Sequence, residues 1–190
     1  MEIDDAIVQL GEKLDAWWDD IISPLLDSED RVAQAKALLS GFELAKEFDR
    51  LKVDGLAAIT ALLARQDETT VEQRVASLIR GFEFGARLAD TLDDEFSDVD
   101  GETRVVRLMD AIVDALDRIG SGRAALAGLL EHRDAGVRAW AGTDLIDLMP
   151  ERVVPILRQI EAKVDGGGAS FRAYLTLLAW GREGKARFNS

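Results

Sequence analysis

His132 is the only histidine in the 190-residue chain, so it is the first residue to consider for general-base chemistry. A histidine base needs a partner within hydrogen-bonding reach. His132 lies in a predicted helix-ending turn, where an imidazole can simply bond one of the last backbone carbonyls. We therefore predict a structural role for His132.

One acidic stretch resembles part of a calcium loop. Asp98, Asp100 and Gly101 have the spacing of such a loop, but this register places Phe96 at the first ligand position. It also places Arg107 at the position of the final ligand, where a carboxylate is required. We predict a solvated acidic linker here, and no metal.

Other catalytic patterns are weak or missing. Adjacent acids such as Asp93-Asp94 and Asp19-Asp20 could form a hydrolytic pair only if one carboxyl lay in an apolar pocket. Gly166-Gly167-Gly168 lacks the Lys-Ser/Thr of a phosphate loop, and the sequence has neither a Gly-x-Ser-x-Gly elbow nor a cysteine. We predict a protein that is not an enzyme and that uses no cofactor.

The charge of the chain is strongly negative and unevenly distributed. The net charge is -13, and residues 1–30 contribute ten acids against one base while residues 93–102 contribute six acids and no base. Such a protein repels nucleic acid and anionic membranes and favours basic protein partners. No apolar run is long enough to cross a membrane and the N-terminus is acidic, so we expect a cytoplasmic protein.

Apolar residues recur at helical spacing along the chain, which predicts an all-α fold of about nine helices. The first helix has an apolar stripe that includes Leu10 and Trp17, with acids on the opposite side. The fourth helix opens on Thr69, which with Glu72 fits a capping box. The helix that follows the glycine triplet carries Phe171, Tyr174, Leu175 and Leu178 as its apolar residues. The nine helices are predicted at about residues 3–22, 28–51, 55–66, 69–92, 103–119, 122–132 and 135–148, after Pro150, and at about 169–182.

The acidic stretch divides the predicted chain in two. Residues 1–92 form an N-terminal acidic helical subdomain, residues 93–102 an acidic connector, and residues 103–190 a second helical subdomain, or the whole packs as one continuous domain. The connector is poorly periodic and carries six acids, which is typical of a solvated linker.

The stretch 129–141 predicts a turn between two antiparallel helices. Asp134 occupies the N-cap position, Val137, Trp140 and Ala141 form a buried stripe, and Arg138 is placed to pair with Asp134 at i, i+4 spacing. This order of Asp, Val, Arg and a small residue resembles the second helix of HEAT repeats. Residues of about 104–184 also resemble a bacterial family of small HEAT-like helical domains of unknown function, through Arg123-Ala-Ala-Leu, Leu129-Leu130, His132, Asp134, Val137-Arg138, Trp140-Ala141, Pro150-Glu151, Val154, Leu157 and Phe171 to Trp180.

The resemblance implies a short HEAT-like α-solenoid or helical bundle. It indicates almost nothing about activity, because proteins of one fold have many functions. Residues 55–67 and 122–134 are similar in sequence, and this similarity, which we call the internal echo, favours a repeat. We expect a non-enzymatic binding protein with an acidic surface, most concretely an immunity or antitoxin type of inhibitor of a basic bacterial toxin. The alternatives are an acidic mimic of nucleic acid that inhibits a nucleic-acid-binding protein, and a carboxylate-based enzyme. The predicted partner-binding residues are Asp4, Asp15, Trp18, Asp19, Asp94 and Asp98.

Overall fold

A computed structural model of the chain describes residues 12, 49–50, 52–65, 70–91, 99–162 and 167–188. These residues form helices and the turns between them, and no strand occurs among them, which confirms the predicted all-α class. The chain divides into two compact units, Met1–Asp67 and Glu68–Ser190. Within the described ranges, no helix combines the length and the apolar character needed to cross a membrane.

In the unit Met1–Asp67 the main described helical segment covers residues 52–64 and corresponds to the third predicted helix. Leu56, Ile59 and Leu62 recur at three-residue spacing and are buried, as an amphipathic stripe predicts. Glu12 is helical and exposed. The other predictions for the first two helices lie almost entirely outside the described residues.

The unit Glu68–Ser190 contains six α-helices and one 3-10 turn in its described residues. They are α1 (Val71–Thr91), α2 (Val99–Asp117), α3 (Gly122–Gly128) with the 3-10 turn Leu129–Glu131, α4 (Ala135–Leu145), α5 (Pro150–Glu161) and α6 (Gly167–Phe188). The structure thus bounds seven helical elements in the described part of this unit, besides residues 52–64 of the first unit, whereas about nine helices were predicted for the whole chain. Each of the six α-helices corresponds to a predicted one.

The capping box of α1 lies one residue later than predicted. The Gln73 N–H donates to Thr70 Oγ1 (3.2 Å), and the Thr70 N–H donates to Gln73 Oε1 (3.0 Å). Thr69 with Glu72 and Thr70 with Gln73 both satisfy the Ser/Thr-x-x-Glu/Gln rule. The spacing therefore located the start of the helix but did not select the capping pair.

Helix α2 begins at Val99, so residues 99–102 belong to this helix and not to the predicted connector. Gly101 is buried and Glu102 is half-buried, whereas residues of a solvated linker would be exposed. Asp100 and Glu102 occupy the first turn. Carboxylates are favourable there because the helix N-terminus is positive, so an acidic run can begin a helix as well as separate two helices.

Helix α4 lies at the centre of this unit and packs against α1, α5, α6 and the 3-10 turn. Val137, Trp140 and Ala141 are buried, which confirms the predicted stripe. A Cβ on Gly142 would lie 2.9 Å from Leu157 Cδ2, so α4 and α5 approach closely at this glycine. The small residues of α4 therefore let several helices surround it.

Three of the four apolar residues named in the prediction of α6 lie on its exposed side. Phe171, Tyr174 and Leu175 are exposed, whereas Ala169 and Ala173 are buried. Helix α6 packs against α4 and α5, and alanines permit a close helix approach that larger side chains would prevent. Phe171, Tyr174 and Leu175 consequently face away from the core, whereas Leu177, Leu178 and Trp180 are half-buried.

Candidate functional site

The turn between the 3-10 segment and α4 is stabilised by side chains that satisfy its backbone groups. Asp134 Oδ1 accepts from the Val137 N–H (3.0 Å), which confirms the predicted N-cap. Arg138 Nη1 donates to the carbonyl oxygens of His132 (2.5 Å) and Arg133 (2.9 Å). The Arg138 guanidinium thus donates to turn carbonyls, and not to the Asp134 side chain as predicted.

Each ring nitrogen of His132 lies near a polar group, one in this turn and one on α1. Nδ1 accepts from the Asp134 N–H (3.1 Å), and Nε2 lies 3.5 Å from Glu83 Oε1. An imidazole that accepts through Nδ1 carries its proton on Nε2, towards Glu83. The His132 side chain therefore accepts a backbone N–H of the turn, whereas we predicted that it would bond one of the last carbonyls.

A polar network joins four helices through single side chains, and we call Asp90, Glu102, Trp140 and Arg172 the Asp90 network. The Trp140 indole Nε1–H donates to Asp90 Oδ1 (2.9 Å). The Arg172 guanidinium carbon lies 3.3 Å from the centre of the Trp140 ring, a cation–π contact. Arg172 also pairs with Glu102 (3.2 Å) and, at longer range, with Asp90 (3.8 Å).

Asp90 is held against the beginning of α4, where a glycine makes room for it. A Cβ on Gly136 would lie 1.9 Å from Asp90 Oδ2. The N-terminal turn of a helix is positive and so stabilises a carboxylate placed against it. The Asp90 network therefore positions α1, α2, α4 and α6 relative to one another. Its two carboxylates both interact with residues of other helices.

A second group of charged residues lies on α2 and α4, and three of its four members are exposed. Asp110, Asp114 and Asp117 lie on one exposed face of α2, at i, i+4 and i+7. Asp144 of α4 is half-buried and interacts electrostatically with Asp110 and Asp117. We call these four residues the acidic cluster.

Arg123 is the one base that affects the Asp144 carboxyl appreciably. It forms an ion pair with Asp117 through both Nε and Nη2, and its Nη1 donates to the backbone carbonyl of Asp144 (3.3 Å). The pKa of Asp144 is raised to about 7, chiefly by burial and then by Asp110 and Asp117, while Arg123 opposes the shift. The cluster therefore places four carboxyl groups near a single arginine, Arg123.

This arrangement is suited to binding positive charge. In the described part of the chain, no three side chains of the His, Cys, Asp or Glu types are grouped so as to hold a metal ion. A lysine or arginine of another protein would lower the electrostatic energy of the cluster and lower the pKa of Asp144.

The six predicted partner-binding residues lie outside the described part of the chain: Asp4, Asp15, Trp18, Asp19, Asp94 and Asp98. The sequence analysis missed the acidic cluster, although the spacing of Asp110, Asp114 and Asp117 opposite the apolar residues of α2 was a usable signal. It also missed Arg172, the only charged residue between Phe171 and Trp180. Asp90 and Asp144 carried no such signal because their partners are distant in sequence.

Comparisons with known protein families, curated proteins and solved structures found no match to this chain.

Proposed function

We propose that this chain is a non-enzymatic binding protein whose acidic surface engages a basic protein partner. The most concrete form of the proposal is an immunity or antitoxin type of inhibitor that acts in the cytoplasm on a basic bacterial toxin. The observation that carries the proposal is the acidic cluster, in which like charges surround a carboxyl with a raised pKa. These carboxylates repel one another, so they weaken the fold and require another explanation.

Charge complementarity explains such a surface. An opposing basic patch converts the repulsion into attraction and increases the association rate. Residues 1–30 and 93–102 add further acids, and we retain Asp4, Asp15, Asp19, Asp94 and Asp98, with Trp18 as an apolar anchor, as proposed contacts.

We further propose that the architecture is a short HEAT-like stack. Residues 52–64 and 122–131 are helical or 3-10 helical, as the internal echo requires. Equivalent positions of the two segments are buried: Gly55 and Gly122, Ile59 and Leu126, and Leu62 and Leu129. The described helices of the second unit also pack as consecutive pairs around α4.

A carboxylate-based enzyme is the second candidate, and one observation favours it. An aspartic acid with a pKa of about 7, such as Asp144, can donate or accept a proton at neutral pH. The residues that shift the pKa of Asp144 are two further carboxylates and an arginine that is already paired with Asp117.

An acidic mimic of nucleic acid is the third candidate, and it would use the same cluster against a nucleic-acid-binding protein.

The test is capture of partners from an extract of the source cells at low salt, followed by mass spectrometry. The variant D110N/D114N/D117N should recover less of the specific basic protein than the parent. The matched control is E72Q/E151Q/E161Q, which removes three exposed carboxylates elsewhere and should capture as the parent does. Equal losses in both variants would show that net charge alone, and not the acidic cluster, retains the partner.

The same experiment separates the alternatives. A basic toxin among the captured proteins supports the inhibitor, and a protein that binds DNA or RNA supports the mimic. An enzyme that uses Asp144 would lose its substrate turnover after D144N, which an activity assay on this variant measures.

A further inference from the structure

One arginine side chain joins the ends of α2 and α4 across the start of α3. Arg123, in the first turn of α3, pairs with Asp117 through both Nε and Nη2. Its Nη1 donates to the backbone carbonyl of Asp144, 3.3 Å away. Asp117 is the last residue of α2, where a carboxylate is unfavourable because the C-terminus of a helix is negative. The guanidinium of Arg123 therefore stabilises this end of α2.

The chain between α2 and α3 is short and closely packed, and we call residues 116–123 the α2–α3 connection. The Ile119 N–H donates to the Leu116 carbonyl (2.9 Å), and the Gly122 N–H donates to the Ile119 carbonyl (2.8 Å). A Cβ on Gly122 would lie 2.1 Å from the carbonyl oxygen of Leu116, so the start of α3 lies directly against the end of α2. Two backbone hydrogen bonds and the ion pair of Arg123 thus hold the connection closed.

The side chain of Asp144 has to share this arginine when it ionises. Asp144 is half-buried, and the charged groups that act on it are Asp110 and Asp117 of α2 and Arg123 of α3. The helices α1, α5 and α6 also pack against α4, but in the described part of the chain they contribute no charged group that acts on Asp144. Arg123 is already paired with Asp117, so an ionised Asp144 has no base of its own there.

We infer that Arg123 is a switch with two ion-pairing states, and that a proton on Asp144 selects between them. While Asp144 is neutral, the guanidinium pairs with Asp117, as in the structure. When Asp144 releases its proton to water, its carboxylate competes with Asp117 for the guanidinium, because a charged acceptor binds it more strongly than a neutral one. Asp117 then loses part of its counter-charge, and the α2–α3 connection opens more often. This switch belongs to the fold of the chain itself and does not require the proposed partner.

The ionisation of Asp144 sets the pH range of the switch. The pKa of Asp144 is about 7 in the folded chain against an ordinary value of 3.8. In an open connection Asp144 is hydrated and its pKa moves towards the ordinary value, so the closed form binds a proton that the open form has released. The contribution of Asp144 to the closed form is therefore lost as the pH rises from about 4 to about 7, and it levels off above that.

The first test is amide hydrogen exchange of the full chain at several pH values, with each rate corrected for the intrinsic effect of pH on exchange. In the parent, protection of the amides in the α2–α3 connection should fall as the pH rises, by up to about tenfold per pH unit, and should level off above about pH 7. In D144N this protection should not depend on pH. The matched control is D114N, since Asp114 lies on α2 but is not among the groups that act on Asp144, and it should behave as the parent does.

The exchange data also separate local opening from global unfolding. The fall in protection should be larger in the α2–α3 connection than in α5, which contains no part of the switch. Protection that is independent of pH in the parent, or that falls by the same factor in both segments, would contradict the inference.

The second test follows the Nε–H signal of Arg123 by NMR across the same pH range. The signal is assigned by its loss in R123K, which keeps the positive charge but lacks the planar fork of a guanidinium. In the parent it should shift with the same midpoint as the carboxyl carbon of Asp144, and in D144N it should stay constant over that range. An Arg123 signal that stays constant while Asp144 titrates, or that shifts equally in D144N, would overturn the inference.

Discussion

At the scale of single residues, the Asp90 network shows how charged groups can be accommodated between helices. Asp90 and Arg172 keep only about a fifth of their side-chain surface exposed, so each has lost much of its hydration. Such a loss is unfavourable unless hydrogen bonds and opposite charges replace the water. The Trp140 indole, the guanidinium of Arg172 and the start of α4 supply these replacements for Asp90.

The substitution G136A tests whether this network stabilises the fold. The new methyl group would displace the Asp90 carboxylate, because its Cβ would lie 1.9 Å from Oδ2. We expect the free energy of unfolding to fall by about 1–3 kcal/mol, as measured by urea denaturation. G128A is the control: a Cβ at this helical glycine meets nothing within 4 Å, and alanine there should be neutral or slightly stabilising.

The acidic cluster predicts a dependence of stability on pH. The pKa of Asp144 is about 7 in the folded chain against an ordinary value of 3.8, so between these values the folded state binds a proton that the unfolded state has released. Stability should therefore fall as the pH rises through this window, by at most about 1.4 kcal/mol per pH unit, and should then level off.

D144N removes the titrating group and should remove this part of the pH dependence. Relative to the parent, the variant should gain stability progressively from about pH 4 to about pH 7 and keep a constant advantage above that. Urea titrations at several pH values measure the difference. A parent and a variant with parallel pH profiles would mean that Asp144 ionises normally in the folded state.

At the scale of the elements, local signals located the helices of the second unit. The Asp134 cap and the Val137, Trp140 and Ala141 stripe predicted α4 correctly, because capping and periodicity are properties of a short sequence window. The orientation of α6 was not predictable in this way. Its inward face is set by the close approach of Ala169 and Ala173 to other helices, a tertiary effect that overrides the apolar stripe.

The start of α2 was missed for a related reason. An acidic run with little periodicity is typical of a connector. Glu102, however, accepts a hydrogen bond from Arg172, which is 70 residues away in the chain. The candidate site has the same limitation, since the pKa of Asp144 on α4 is raised by its burial and by Asp110 and Asp117 on α2. Spacing within one helix could predict the carboxylates of α2, but not their pairing across helices.

The substitution A141L tests the close packing of α4. Ala141 is fully buried, and α4 is surrounded by α1, α5 and α6, so a leucine would overpack this region. We expect the free energy of unfolding to fall by about 1–3 kcal/mol, with a lower thermal midpoint. A124L, at an exposed position of α3, should change stability by no more than about 0.5 kcal/mol. An unchanged midpoint for A141L would contradict the packing of α4.

At the scale of the whole molecule, the chain has a net charge of -13, which limits the partners that it can approach. A negative surface of this kind repels polyanions and attracts polycations over a distance of about a Debye length, about 10 Å at moderate salt. The fold supplies the rigid framework for this surface, because the Asp90 network fixes α2 and α4, which carry the acidic cluster. Binding that depends on this cluster should therefore depend strongly on salt.

The most direct measurement of the proposed function is the dissociation constant of the captured basic partner as a function of salt concentration. For the parent chain, affinity should fall steeply as salt is added. D110N/D114N/D117N should bind more weakly at low salt, with a shallower salt dependence, and should approach the parent at high salt. If this variant binds the partner as tightly as the parent at low ionic strength, the acidic cluster is not the binding surface.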